Sequence, residues 1–285
     1  MGGMNGTVIP AALYVVATPI GNLADIGERA LETLRSADAI ACEDTRHTRH
    51  LLDHFGIRTA AFALHQHNER EAAEKVIALL AAGKRVALVS DAGTPGISDP
   101  GAKAVAAVRA AGYAVVPLPG PSAASVALSA AGLADERYLF AGFLPAKVGA
   151  RSTAIDELAA VPAALVFYEA PHRVEETVAA LAARLEPMRT LVIARELTKH
   201  FEQIAAMPLA EGPAWLAADA NRRRGEFVLI VSGPPPREGL DAETERVLAR
   251  LLAELPTKQA AKLAAEITGQ PKNALYQRAL ELKDG

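Results

Sequence analysis

The stretch "VSDAGTPGISDPG", Val89 to Gly101, decides how the chain is read. It continues the apolar run Val86–Val89, which has the length and make-up of a buried strand, and then places three glycines and two prolines where a helix would otherwise begin. Glycine lets a backbone come close to another group, and proline holds the shape that results. A stiff, glycine-rich turn at the carboxyl end of a strand is where an open α/β sheet keeps its ligand.

Working outward, short β-rich runs alternate with amphipathic stretches of helical period. The strand candidates are Leu13–Ile20, Ala39–Glu43, Ala60–Leu64, Arg85–Ser90 and Tyr113–Leu118, then Leu139–Phe143, Ala164–Glu169, Thr190–Arg195 and Glu226–Val231. Between them, "EREAAEKVIALLAAG" spaces Ala72, Ala73, Val76, Ile77 and Leu80 on one helical face and stops at Gly83. This alternation predicts an α/β protein with parallel sheets flanked by helices. It also predicts a disordered leader over residues 1–12, α/β domains over 13–134 and 135–233, a stiff linker "GPPPREG", and a helical module over 240–285. Within that module "TKQAAKLAAEITGQPKNALYQRAL" reads as two helices around a glycine-containing turn.

Composition narrows the function classes. Of 285 residues, 51% are hydrophobic and 22% charged, which is globular rather than disordered. A net charge of −3 requires any nucleic-acid surface to be local. The single cysteine, Cys42, excludes an internal disulfide and a cysteine-based zinc site, and suits a reducing cytoplasm. It reads as a small buried residue, and the lone Trp215 as a packing anchor. No apolar run is long enough to span a membrane.

Four unusual loops fall at strand ends: "TPIGN" (Thr18–Asn22), "CEDTRHTR" (Cys42–Arg49), "SDAGTP" (Ser90–Pro95) and "PGPSA" (Pro119–Ala123). Four such loops in one sheet predict one shared pocket, although Asp91 or Ser122 taken singly could simply cap a helix. Neither G-x-G-x-x-G nor a Walker loop is present, so a nucleotide hydrolase and an ordinary Rossmann cofactor site are disfavoured. In the second block "YEAPHR" and "RELTKHFE" end two strands in opposite charges. Glu169, Arg173, Arg195, Glu196 and Lys199 could orient substrate phosphates or form an ion-pair lattice between the two blocks. His65 and His67 lack a third ligand, so they read as a polar loop and no metal is expected.

Together "LYVVATPIGNLADI", "ACEDTRHTRHLL", "HQHNE", "SDAGTPGISDPG", "PLPGPSAA", "GFLPAK", "FYEAPHR" and "ARELTKHFE" are carried in the order of one family. The chain resembles the small-subunit ribosomal RNA methyltransferases of the tetrapyrrole methylase superfamily, from Leu13 to Leu282. The resemblance implies the two-domain tetrapyrrole methylase-like fold of class III S-adenosylmethionine methyltransferases. It further implies a homodimer, a cytoplasmic location, and methylation of a cytidine 2′-hydroxyl in the decoding region of 16S ribosomal RNA within the small subunit. Gly27-Glu28 after "NLADI" and Gly96 after "AGTP" depart from the usual pattern, and the second would loosen its loop.

Carried over by motif, the donor site would comprise Pro19, Gly21, Ala92, Gly93, Thr94, Ser122, Ala123 and Tyr168. Asp44, His47, Asp91, Glu169 and His172 are candidate proton acceptors, and the sequence does not choose among them. "EDTRHTR" and "EAPHR" are expected to face RNA. The basic residues expected at phosphates are Arg46, Arg49, Arg173, Lys199, Arg222, Arg223, Lys262 and Lys272. Alternatives kept open are methylation of a tetrapyrrole or other small molecule, and a non-enzymatic RNA-binding assembly factor. For the tail, RNA grip and a helical hairpin packed on the body both stand.

Overall fold

The computed structural model describes residues 10–235, 240 and 242–284. The first nine residues of the expected leader and Pro236–Gly239 of the expected linker lie outside the described residues. Pro10–Ala12 are placed: Ala12 is buried, and the Tyr14 hydroxyl donates to the Pro10 carbonyl at 2.8 Å.

The first lobe runs β1 (Leu13–Val16), α1 (Glu28–Ser36), β2 (Ala39–Cys42), α2 (Thr45–His54), β3 (Ala61–Ala63), α3 (Glu69–Ala81), β4 (Val86–Val89), α4 (Ala102–Ala110), β5 (Val115–Leu118) and α5 (Ala123–Ala131). Its sheet has the order β3-β2-β4-β1-β5, and every pairing is parallel. Alternate residues of the apolar runs point to opposite faces, as pleating requires. Val86 and Leu88 join the core under α3 and α4, whereas Ala87 and Val89 join the core under α1 and α2. α3 ends as its pattern predicts, with Gly83 at φ +74°. β1 is shorter than the apolar reading, because after Val16 the chain leaves the sheet to form the first loop.

The second lobe runs β6 (Tyr138–Phe143), α6 (Val148–Leu158), β7 (Ala164–Glu169), α7 (Val174–Arg184), β8 (Thr190–Arg195), β9 (Gln203–Pro208), α8 (Gly212–Ala217) and β10 (Phe227–Val231). Its sheet, β6-β7-β10-β8-β9, is mixed, which corrects the expectation of parallel sheets throughout. Only β6 and β7 pair in parallel. The connection from Glu196 to Glu202 is too short for a crossover helix, so β9 must return antiparallel to β8. β10 then inserts antiparallel between β7 and β8. β9 has no counterpart among the sequence candidates. It is an edge strand with an alternating half-exposed pattern and a terminal proline, so no continuous apolar run marks it.

The blocks divided near Ala134 in sequence share a core in space. α5 belongs to the first block by order, yet its small residues Ala124, Ala127 and Ala131 pack on Val166, Val192, Ala194, Val228 and Ile230 of the second sheet. The chain accordingly divides into two compact units only after Gly233. The second unit holds α9 (Ala242–Leu252), α10 (Thr257–Thr268) and α11 (Lys272–Asp284) around Leu248, Ala261, Ala264, Leu275 and Ala279. The expected glycine turn is Gly269, in the left-handed conformation at the end of α10. Among the described residues, no helix is long and apolar enough to cross a membrane.

Candidate active site

From β1 the chain passes to α1 on one face of the sheet and from β4 to α4 on the other, so the loops after these neighbouring parallel strands open a crevice at their carboxyl ends. The two loops are tied together. Thr18 and Gly93 exchange both backbone hydrogen bonds, at 2.8 and 3.0 Å, and the Thr18 hydroxyl donates to the Ser90 carbonyl at 3.1 Å. The Thr94 hydroxyl then donates to the Pro121 carbonyl at 2.9 Å, joining the third loop. Gly93 needs glycine, since its φ is +79°. The far end of the long loop is fixed by a residue that the sequence reading left unassigned. Buried Glu69 accepts the Gly101 and Lys103 backbone N–H groups, both at 3.0 Å, with one carboxylate oxygen.

These loops and the second sheet enclose a cavity of about 360 Å³. Ala92, Gly93, Thr94, Ser122, Ala123 and Tyr168 all line it. The Tyr168 hydroxyl accepts the Ala124 N–H at 3.2 Å, so the second lobe holds the first turn of α5. Burial raises the Tyr168 pKa above its ordinary value, against the lowering effect of that hydrogen bond. The rest of the wall includes Ile97, Phe143, Leu197 and Phe227, with Asp99, Glu169 and Glu226 as acids. Asp99 sits in the Val89–Gly101 loop, where nothing in the string distinguishes a second aspartate from a turn residue. Burial pushes its carboxyl up, and neighbouring Asp91 adds to this while a Ser90 hydrogen bond opposes it. Burial likewise raises Glu43, with Asp99 the next cause.

Two residues expected at the donor do not line this cavity. Pro19 lines a smaller hollow of about 210 Å³, together with Thr18, Leu23, His47, His50, Leu51 and Asp91. Gly21 packs on the loop after β8, where an added Cβ would come within 2.5 Å of Lys199 Cγ and 3.0 Å of the Leu197 carbonyl. Its role is close approach of the two lobes.

The charged ends of the second sheet are occupied by one another. Glu169 is buried and accepts from the Ala170 N–H at 2.9 Å and the Thr177 hydroxyl at 2.6 Å. Arg173 turns inward to Glu169, with Nε at 3.4 Å, and donates to the Leu144 carbonyl, which corrects its expected outward placement. Lys199 pairs with Glu196 at 2.9 Å and Glu226 at 2.8 Å. Burial would lower the Lys199 pKa, but these two partners outweigh it and hold it high. Arg195 donates to the Arg224 and Phe201 carbonyls and to Gln203. The pairs therefore lie within the second lobe, not between the blocks.

Asp44 is also engaged. It caps α2 by accepting the Arg46 N–H at 2.7 Å, and its other oxygen meets the Arg46 guanidinium at 3.1 Å. That pairing, with the backbone bond, lowers its pKa to about 2. Asp91 does not cap a helix; its carboxylate accepts the Asp44 N–H at 3.1 Å. His172 is exposed, apart from the hollow that Asp91 and His47 share. Arg46 remains exposed, and Arg49 is half-buried without a hydrogen-bond or ion-pair partner among the described residues.

Arg222 stacks on the Trp215 ring at 4.4 Å and donates to the Trp215 carbonyl, while Arg223 pairs with Glu175 at 3.2 Å. In the helical unit Lys262 lies 3.8 Å from Glu266, and Lys272 is exposed at the start of α11. Cys42 is buried and free. Among the described residues, no group of three histidine, cysteine or acidic side chains could hold a metal, and His65 and His67 merely face each other edge-on.

Comparison with known proteins gives consistent results. The profile of the tetrapyrrole (corrin/porphyrin) methylases matches residues 12–213, and that of the RsmI C-terminal HTH domain matches residues 238–283. The chain is 55% identical over 270 residues to a protein of Escherichia coli O157:H7 named ribosomal RNA small subunit methyltransferase I, covering 94% of each. A Pseudomonas aeruginosa protein of the same name is 53% identical, covering 94% of this chain and 96% of the relative. Among solved structures, the methyltransferase CobJ is similar with a TM-score of 0.59 at 20% identity, over 80% of this chain and 96% of that one. A Thermus thermophilus uroporphyrin-III C-methyl transferase complexed with S-adenyl homocysteine is similar with a TM-score of 0.53 at 17% identity, over 78% and 97%.

Proposed function

Because the chain belongs to the tetrapyrrole (corrin/porphyrin) methylase family, we propose that it uses S-adenosylmethionine to methylate RNA of the small ribosomal subunit, at the 2′-hydroxyl of a cytidine in the decoding region. The observation that carries this reading is the near-full-length identity to enzymes named for small-subunit ribosomal RNA, spanning both the cavity loops and the helical tail. A homodimer in the cytoplasm goes with it by resemblance.

The cavity suits such a donor. Its volume lies in the range for ligands of that size, and its wall is mostly apolar with a few placed polar groups. Phe143, Leu197, Phe227 and Val228 offer a dry surface to an adenine ring. Asp99, which pairs with no basic side chain among the described residues, offers its carboxylate to a cationic guest. When bound, the donor supplies a methyl group already activated on a sulfonium. The protein's task is then alignment, which Gly93, Thr94 and Tyr168 serve by holding three loops and two lobes in fixed register.

A ribose hydroxyl reacts better as its proton leaves. Asp44 and Glu169 are committed to hydrogen bonds and ion pairs, so Asp91 and His47, which share one hollow, are the groups we assign to that proton. Incubation with labelled S-adenosylmethionine and either free 16S RNA or small subunits from cells lacking the activity tests the reading. Label is expected in 2′-O-methylcytidine; label in another nucleoside, or none with the donor bound, overturns it.

A further inference from the structure

The smaller hollow beside the donor cavity, which holds the Asp91 and His47 assigned above to the ribose proton, has a composition of its own. Pro19, Leu23 and Leu51 make its apolar side, and His47, His50 and Asp91 make its polar side. The two histidines are three apart on α2 and therefore share one helical face. Asp91 is held in place by the Asp44 N–H. The hollow also shares a wall with the donor cavity. Pro19 and Asp91 line one side, while the residues that follow them, Ile20 and Ala92–Thr94, line the other. The same helix that brings the histidines carries exposed Arg46 and half-buried Arg49.

We propose that this hollow is the acceptor subsite and takes a single ribonucleoside of the substrate RNA. The base lies against Pro19, Leu23 and Leu51, the His50 imidazole contacts its polar edge, and Asp91 and His47 face the ribose hydroxyl. The assignment rests on the reading of the chain as an RNA methyltransferase, and it also selects among acceptors. At about 210 Å³ the hollow is smaller than the roughly 300–1,000 Å³ of sites for drug-sized ligands, which suits one nucleoside and is too small for a tetrapyrrole ring.

The test uses the full chain as wild type, Leu23→Trp and His50→Ala. Leu23 is 39% exposed, so a larger ring there fills the hollow without entering the core. Three quantities are measured: S-adenosylmethionine affinity by calorimetry, methyl transfer to unmethylated small subunits in a single turnover, and movement of the His47 and His50 ring resonances when a cytidine-containing 16S oligoribonucleotide is added. Leu23→Trp is expected to bind the donor normally and to lose transfer on the order of 100-fold, the scale of a misplaced acceptor. The imidazole resonances should move in wild type and stay still in Leu23→Trp. Transfer at the wild-type rate by Leu23→Trp overturns the subsite and leaves the RNA reading standing. No transfer to RNA by wild type overturns both. If Leu23→Trp also loses the donor, His50→Ala decides: slower transfer with donor affinity intact supports the subsite, and unchanged transfer overturns it.

Discussion

The two lobes place polar residues at their strand ends in equal abundance but use them differently. In the first lobe the loops are joined mainly through backbone groups and hydroxyls, at Thr18–Gly93, Thr94–Pro121 and Glu69–Gly101. Asp99 and Ser122 then line the cavity that these loops enclose. In the second lobe the charged side chains pair with one another, as Glu169 with Arg173 and Lys199 with Glu196 and Glu226. The contrast teaches that charge density at a strand end does not make a site. What matters is whether the neighbours have already satisfied it.

Removing Glu169 is the strongest way to break this comparison. Glu169→Ala leaves Arg173 without its buried counter-charge and should cost about 3–5 kcal/mol in urea unfolding. Glu169 also lines the cavity, and a loss of donor affinity with unchanged stability would instead make its carboxylate a donor contact.

Gly93→Val probes the opposite case. A β-branched residue at φ +79° strains the loop by about 1–2 kcal/mol, so S-adenosylmethionine affinity should fall about tenfold by calorimetry. Unchanged affinity would show that the bridge tolerates the strain.

Asp99→Asn sharpens the comparison through pH. Because burial raises the folded-state pKa of Asp99, its contribution to stability is fully present below its ordinary value of 3.8 and is lost as pH rises through the raised one. The variant should therefore unfold at higher urea than wild type at neutral pH and match it in acid. Parallel curves at both pH values would exclude Asp99 as a strained acid.

The smallest effect belongs to the exposed Asp44–Arg46 pair. With its pKa at about 2, Asp44 contributes stability above its ordinary value of 3.8, lost as pH falls from there through about 2. In Arg46→Ala the carboxyl resonance of Asp44 should titrate closer to 3.8, with almost no change in urea midpoint at neutral pH. An unmoved midpoint would assign the shift to the helix cap alone.

Much of this was legible in the chain itself. "SDAGTPGISDPG" and "PGPSA" mark loops at strand ends, because glycine and proline favour turns and break helices, and periodicity marks nine of the ten strands among the described residues. Other features were hidden. β9 lacks an apolar run, and Pro19 faces the smaller hollow although its neighbour Ile20 faces the larger cavity. Asp99 and Glu69 look like turn and helix residues until their surroundings are known.

By itself, then, the sequence determined the turns, the strand and helix periods and the family, since these depend on residues near one another in the chain. The tertiary structure alone decided which charges are available. Lys199 meets Glu226 across 27 positions, and Gly101 meets Glu69 across 32. The energy of an ionisable group is set by its neighbours and its burial, and folding chooses both.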